Sequence, residues 1–118
     1  MKPFAIEFIS EPEGVARAAE VRIEGFLDAH TVKAFEEGME ELLGRDYTRF
    51  IIDFQRLNYI SSAGIGSLMV LLQRVREAEG DLVILSPAPK VFDVFEMLGF
   101  NRIFTIAEDR AAALANIG

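Results

Sequence analysis

The sequence predicts one α/β domain built on a mixed sheet. Three observations carry that expectation. After residue 28, strand-like and helix-like segments alternate, which implies βαβ crossovers and parallel pairing. Before residue 28, two strand-like segments flank a Pro-Gly turn, the pattern of an antiparallel hairpin. The chain has 118 residues, 51% of them hydrophobic, enough for a single domain with one real core. No repeat, linker or low-complexity segment divides it, so residues 1–118 are expected to form one domain.

The elements follow in order. Phe4 to Ser10 reads Phe-Ala-Ile-Glu-Phe-Ile-Ser, a first strand. Glu11-Pro12-Glu13-Gly14 is turn chemistry. Ala19 to Phe26 alternates through Glu20, Val21, Arg22, Ile23 and Glu24, which predicts a half-exposed strand. Gly25 and Asp28 close that strand and open a helix. Thr31 to Leu43 sets Val32, Phe35, Met39, Leu42 and Leu43 at helical spacing, opposite Glu36, Glu37, Glu40 and Glu41. Asp28 or Thr31 is its natural N-cap and Gly44 its stop.

Phe50-Ile51-Ile52-Asp53-Phe54 is nearly all apolar, as a central strand buried on both faces would be. A short loop leads to a second helix, Ser62 to Glu79. Its inward face is Ile65, Leu68, Met69, Leu72 and Val75, and Gly80 stops it. Leu82 to Leu85 is the next buried strand, and Ser86-Pro87-Ala88-Pro89 the following turn. Val91 to Leu98 forms a third helix with Val91, Phe95 and Leu98 inward, ended by Gly99. Ile103 to Ile106 is a last strand, and Glu108 to Ala115 a last short helix.

Composition excludes several function classes. Twelve basic residues against nineteen acidic give a net charge of −7. A phosphate-backbone binder needs clustered Lys and Arg, so direct nucleic-acid binding is not expected. There are no cysteines, which removes disulfides, thiolate zinc sites and cysteine nucleophiles. His30 is the one histidine, so no histidine-rich metal site exists, and no metal or cofactor is implied. Met1-Lys2-Pro3-Phe4 lacks a signal peptide's apolar run. The purest apolar run, Leu68 to Leu72, falls far short of the roughly 18 residues that span a bilayer. The expectation is a soluble cytoplasmic protein with no membrane span.

Catalytic ingredients are sparse. A Ser-His-Asp triad needs a histidine base; His30 lies beside the start of the first helix, where a surface position is the plain reading. Asp28-Ala29-His30 reads as a capping segment. Gly64-Ile65-Gly66 lacks the third glycine of a dinucleotide motif and the Lys-Ser/Thr of a P-loop, and suits close backbone packing at a helix start. No base–nucleophile pair can be assembled, so an enzyme is not expected. One segment stands out: Asn58-Tyr59-Ile60-Ser61-Ser62-Ala63-Gly64-Ile65-Gly66. It sets two serines at a loop-to-helix junction directly after a buried strand. Serine there caps a helix. It also suits modification, because a helix N-terminus accommodates the roughly −1.5 to −2 charge of a phosphate. A partner docked on that spot would meet a new dianion, so binding could switch without unfolding.

Gly25-Phe26-Leu27-Asp28 with Thr31, the strand Phe50 to Phe54, Leu57 to Ile65, Gly80-Asp81-Leu82, Val91, Phe95 and Met97-Leu98-Gly99-Phe100 occur in the order of known signatures. Together they resemble the STAS domain family, most closely its stand-alone anti-sigma-factor antagonists. The resemblance implies a partner switch. The unphosphorylated antagonist binds an anti-sigma factor that is also a serine kinase of the ATP-binding histidine-kinase-like fold, and so releases the sigma factor. The kinase phosphorylates a serine on the antagonist and ends the complex; a serine phosphatase resets it. In the family motif the acceptor serine follows an aspartate and precedes Ser or Thr, then Gly. Counted from Gly64, the acceptor is Ser62, with Ala63 at the Ser/Thr position. Ser61 stands where the family carries aspartate, which makes Ser61 the second choice of acceptor.

The resemblance further implies a partner surface of Asp28, Ser61, Ser62, Ala63, Gly64 and Ile65. Asp28 is either part of that surface or a helix cap. Asp53 matches the family's strand-end aspartate and suits a structural hydrogen bond. Phe92 and Met97 fall off the inward stripe of the third helix, as members of an interface or as ordinary exposed apolar residues. Residues 28–46 hold six acids (Asp28, Glu36, Glu37, Glu40, Glu41, Asp46) against Lys33 and Arg45, a concentration that attracts a basic partner surface. Two other roles fit the same fold: a constitutive interaction subunit of a signalling or transport assembly, and a small-ligand (nucleotide) module.

Overall fold

Five strands form one sheet in the order β1-β2-β3-β4-β5. The computed structural model describes residues 4–118; Met1-Lys2-Pro3, read above for a leader, lies outside them. The strands are β1 (Ala5–Ser10), β2 (Ala18–Leu27), β3 (Arg49–Ile60), β4 (Asp81–Leu85) and β5 (Thr105–Ala107). The helices are α1 (Val32–Gly44), α2 (Ser62–Glu77), α3 (Pro89–Met97) and α4 (Arg110–Ile117), with a single 3₁₀ turn at Phe100–Arg102. β1 pairs antiparallel with β2, and every later pairing is parallel. The expected mixed α/β architecture is therefore present.

Alternate residues of the central strands point to opposite faces, and each face has its own cover. Phe50, Ile52, Leu82 and Ile84 meet Phe35, Met39, Leu68, Leu72 and Phe95 from α1, α2 and α3. Ile51, Val83, Leu85 and Ala107 meet Ala113 and Ile117 from α4. Phe54, Phe95 and Phe104 stack edge to face in series, with ring centroids 6.1 and 5.6 Å apart.

Several expectations need correction. β2 is not half-exposed: it lies between β1 and β3, with Glu20 and Glu24 buried and Arg22 half-buried against Asp53. Glu20 is fully buried under Arg110 of α4, and Glu24 is buried under Arg56 of β3, 3.0 Å away. β3 runs twelve residues, to Ile60, through the segment expected to be a loop. Parallel pairing to β2 sustains it as far as Leu27↔Ile60, across two register shifts. Met69 is exposed and Leu71 takes its place inside. Leu98 caps α3 and is exposed, so the stripe on α3 ends at Phe95. β5 begins two residues later than expected because Ile103 closes the 3₁₀ turn. α4 also begins two residues later, at Arg110, after the N-cap Asp109, which accepts from the Ala112 N–H at 2.8 Å.

Neither Gly44 nor Gly80 supplies the left-handed stop. Asp46 (φ 68°) and Glu79 (φ 63°) do. Gly44 is the last residue of α1. Gly80 is needed for space: a Cβ there would lie 1.7 Å from the carbonyl oxygen of Thr48.

Candidate functional site

β2 and β3 end side by side, and this brings the two halves of the candidate site together. The last pair of the ladder is Leu27↔Ile60. The next step is made by the Ser61 N–H, which donates to the Leu27 carbonyl at 2.9 Å. Asp28 and Ser62 thus leave adjacent strand ends, Asp28 toward α1 and Ser62 as the first residue of α2.

On the β2 side the chain turns tightly. The Thr31 hydroxyl donates to the Phe26 carbonyl at 2.7 Å and accepts from the Asp28 N–H at 2.9 Å. The Asp28 carboxylate accepts from the His30 N–H at 2.9 Å. Thr31 sits at the N-cap position of α1 without a side-chain cap bond. Neither expected cap therefore acts as a conventional one: both side chains are spent folding the turn, in an Asx-type arrangement. Asp28 is half-buried and His30 exposed.

On the β3 side, Ser61 has extended backbone, and its Oγ accepts from the Gly64 N–H at 3.4 Å. Ser61 is the N-cap of α2. Ser62, one residue on, is exposed, while Ala63 is half-buried. Gly64 and Ile65 are buried; they hold the helix start in place and do not form its surface. The two serines thus divide the work. One hydroxyl faces inward to the cap. The other faces out at a helix N-terminus, where backbone N–H groups lack intrahelical partners and the dipole favours negative charge.

Sequence reasoning missed one neighbour. Tyr59 is 47% exposed and packs on Phe26, with ring centroids 5.6 Å apart. It lies three residues before Ser62 on β3, in a segment whose sequence predicts a loop and therefore no inward–outward alternation. Asp53 is buried; it accepts from the Gln55 N–H at 2.8 Å and pairs with Arg22 at 3.3 Å, a structural role at mid-sheet. Phe92 is half-buried in a shallow cleft with Pro87, Pro89 and Ile106. Met97 is 82% exposed at the end of α3.

A five-stranded mixed sheet with helices packed on both faces defines an α/β domain. Residues 10–113 match the STAS domain, and the chain belongs to that family. It is 32% identical over 93 residues to BtrV of Bordetella bronchiseptica, a proposed anti-sigma factor antagonist, covering 79% of this chain and 80% of that one. It is 24% identical over 87 residues to an anti-sigma-B factor antagonist of Listeria monocytogenes, covering 74% and 76%. Among solved structures it resembles the anti-sigma factor antagonist SpoIIAA in its unphosphorylated form, with TM-score 0.73, 23% identity and 92% of both chains covered. The phosphorylated form of SpoIIAA, a Bacillus protein, superposes with TM-score 0.68 at 21% identity over 94% of this chain and 98% of that one. Among the described residues, no helix is long and apolar enough to cross a membrane.

Proposed function

We propose that the protein is an anti-sigma-factor antagonist whose partner binding is switched by phosphorylation of Ser62. The observation that carries this is the division of labour at the start of α2: Ser61 is spent on the cap, whereas Ser62 is exposed on the same turn. Relatives named as anti-sigma factor antagonists support the partner class. That SpoIIAA is described in both unphosphorylated and phosphorylated forms supports the switch.

In this reading the unmodified surface of Asp28, Ser61, Ser62 and Ala63, held by Gly64 and Ile65, docks on an anti-sigma factor in the cytoplasm. The partner is a serine kinase of the ATP-binding histidine-kinase-like fold. The Ser62 oxygen attacks the γ-phosphorus of ATP; the bond to the bridging oxygen breaks, ADP leaves, and the hydroxyl proton passes to a base on the kinase. The phosphoserine carries roughly −1.5 to −2 charge. The helix dipole accommodates it, so the fold persists while a complementary docked surface is expelled. A phosphatase hydrolyses the ester and restores binding.

The test is incubation with the cognate kinase and ATP, followed by phosphosite mapping by mass spectrometry. Phosphate on Ser62 is expected. Its absence from both Ser62 and Ser61 overturns the switch and leaves a constitutive interaction domain. Ser62→Asp is expected to weaken partner binding and Ser62→Ala to preserve it.

A further inference from the structure

A second surface lies along α1 and α2, starting one helical turn beyond Ser62. Between the two helices runs a groove of about 260 Å³, with Phe35, Met39 and Leu71 in its floor and Leu43 and Val70 in its walls. Val70 is 58% exposed, an unusual position for a valine on a helix whose other aliphatic residues are mostly buried. Gly66, one turn before Val70, is exposed, and a Cβ there would meet nothing within 4 Å. An exposed mid-helix glycine weakens a helix, and nothing in this chain needs the space. The surface beside Val70 is thereby left open to close approach from outside.

The rim is acidic. Glu36 and Glu40 border the groove from α1; Glu36 accepts from the buried Ser67 hydroxyl at 3.1 Å, and Glu40 pairs with Arg74. Glu37 and Glu41 lie on the same helix, whose only basic residue is Lys33. This charge selects the occupant. Four glutamates on α1 against Lys33 and the groove's Arg74 leave this face net negative, which disfavours anionic lipid and nucleic acid. A second copy of this chain, with net charge −7, would set acid against acid. A groove with an apolar floor between two helices fits an amphipathic helix, which presents anchors at i, i+3, i+4 and i+7.

We propose that the α1–α2 groove is a docking site for a basic amphipathic helix of a partner protein. Its aliphatic anchors fill the space between Val70 and Met39, its backbone passes over Gly66, and its Lys or Arg side chains pair with Glu36 and Glu40. The proposal does not depend on phosphorylation of Ser62.

The probe is a synthetic helical peptide with leucines on one face and lysines on the other, titrated into the full-length protein and followed by amide chemical shifts. A control peptide carries glutamate in place of each lysine. Saturable shifts confined to residues 35–43 and 66–74 are expected with the lysine peptide, and none with the control. Val70→Asp is expected to abolish binding. The double variant Glu36→Gln/Glu40→Gln, which leaves the apolar floor intact, is expected to weaken it by about tenfold, since rim charges tune rather than create an interface. Unaltered far-ultraviolet dichroism confirms that each variant folds. The proposal is overturned by absent saturation, by equal binding of both peptides, by shifts centred elsewhere, or by binding that ignores both variants. Sedimentation showing a wild-type dimer that Val70→Asp converts to monomer overturns it in favour of self-association.

Discussion

Gly64 packs against the carbonyl oxygen of Leu27 so closely that a Cβ on Gly64 would stand 2.7 Å from it, and 2.9 Å from side-chain carbons of Leu27 and Ile60. This contact sets the height of α2 over the end of β2, and with it the spacing between Asp28 and Ser62. The carbonyl cannot withdraw, because it also accepts the Ser61 N–H. Gly64→Ala is therefore expected to destabilise by about 1–3 kcal/mol, the usual cost of overpacking. It should also move the amide resonances of Ser61 and Ser62. Gly66→Ala, in open space two residues on, is expected to stabilise by about 0.5–1 kcal/mol. Urea denaturation of the two variants checks both signs, and equal effects would refute the packing role given to Gly64.

The two serines are separable by stability alone. Ser61→Ala removes the cap on the Gly64 N–H and is expected to cost about 0.5–1 kcal/mol, the low end for a cap because the bond is 3.4 Å long. Ser62→Ala removes an exposed hydroxyl from the first turn and should change stability by no more than about 0.5 kcal/mol. Thermal or urea unfolding of each single variant gives the comparison. A larger loss from Ser62→Ala would make Ser62 the structural residue and reverse the assignment.

These distinctions show where the sequence was legible. The class, the parallel pairing implied by crossovers and the helix after β3 follow from hydrophobic period, because burial imposes that period directly. The burial of β2 was not legible. Glu20, Arg22 and Glu24 alternate as a half-exposed strand would, and only the distant Arg110 and Arg56 explain how such charges are covered. The continuation of β3 through Gln55-Arg56 was hidden for the same reason: its support is a ladder to β2, some thirty residues away. Gly80 looked like a helix stop, yet its cause is the Thr48 carbonyl across the sheet. At the site, the serine pair was visible as a motif. That Ser61 caps while Ser62 faces out depends on one backbone bond to Leu27, which no local pattern encodes.

Glu20 and Arg110 provide a second long-range test. Glu20 is fully buried in β2, and Arg110 at the start of α4 donates from both guanidinium nitrogens to its carboxylate, one bond measuring 2.9 Å. Arg110 is itself half-exposed, so removing it takes away the cation while admitting water to the carboxylate, and Arg110→Ala is expected to cost about 1–3 kcal/mol. The loss should free α4 first, exposing Ile51, Val83 and Leu85 beneath Ala113 and Ile117. Replacing both partners by methionine is expected to recover most of the stability, because a matched apolar pair carries no desolvation cost. Denaturation midpoints and hydrogen exchange over residues 105–117 measure both effects. A double variant as weak as Arg110→Ala would mean that the arginine acts through packing instead of charge.

Tyr47 gives the protein an alkaline limit. Its hydroxyl donates to the Glu11 carboxylate at 2.5 Å, joining the loop after α1 to the turn after β1. That bond, burial of the phenol and the negative charge of Glu11 together raise the Tyr47 pKa above its ordinary value of 10.0, with Arg45 opposing. The neutral phenol is thus favoured in the folded state. The stability it contributes is complete below the unfolded value and is lost as pH rises through the higher folded one. Wild type is accordingly expected to exceed Tyr47→Phe in stability at neutral pH, with the gap closing only on the alkaline side of 10.0. Urea midpoints of both proteins across the alkaline range test this. Glu11→Gln should shift the ultraviolet titration of the tyrosine toward lower pH, since it removes the acceptor's charge. A gap that stays constant with pH, or a titration unmoved by Glu11→Gln, would show that the hydroxyl pair does not couple folding to ionisation.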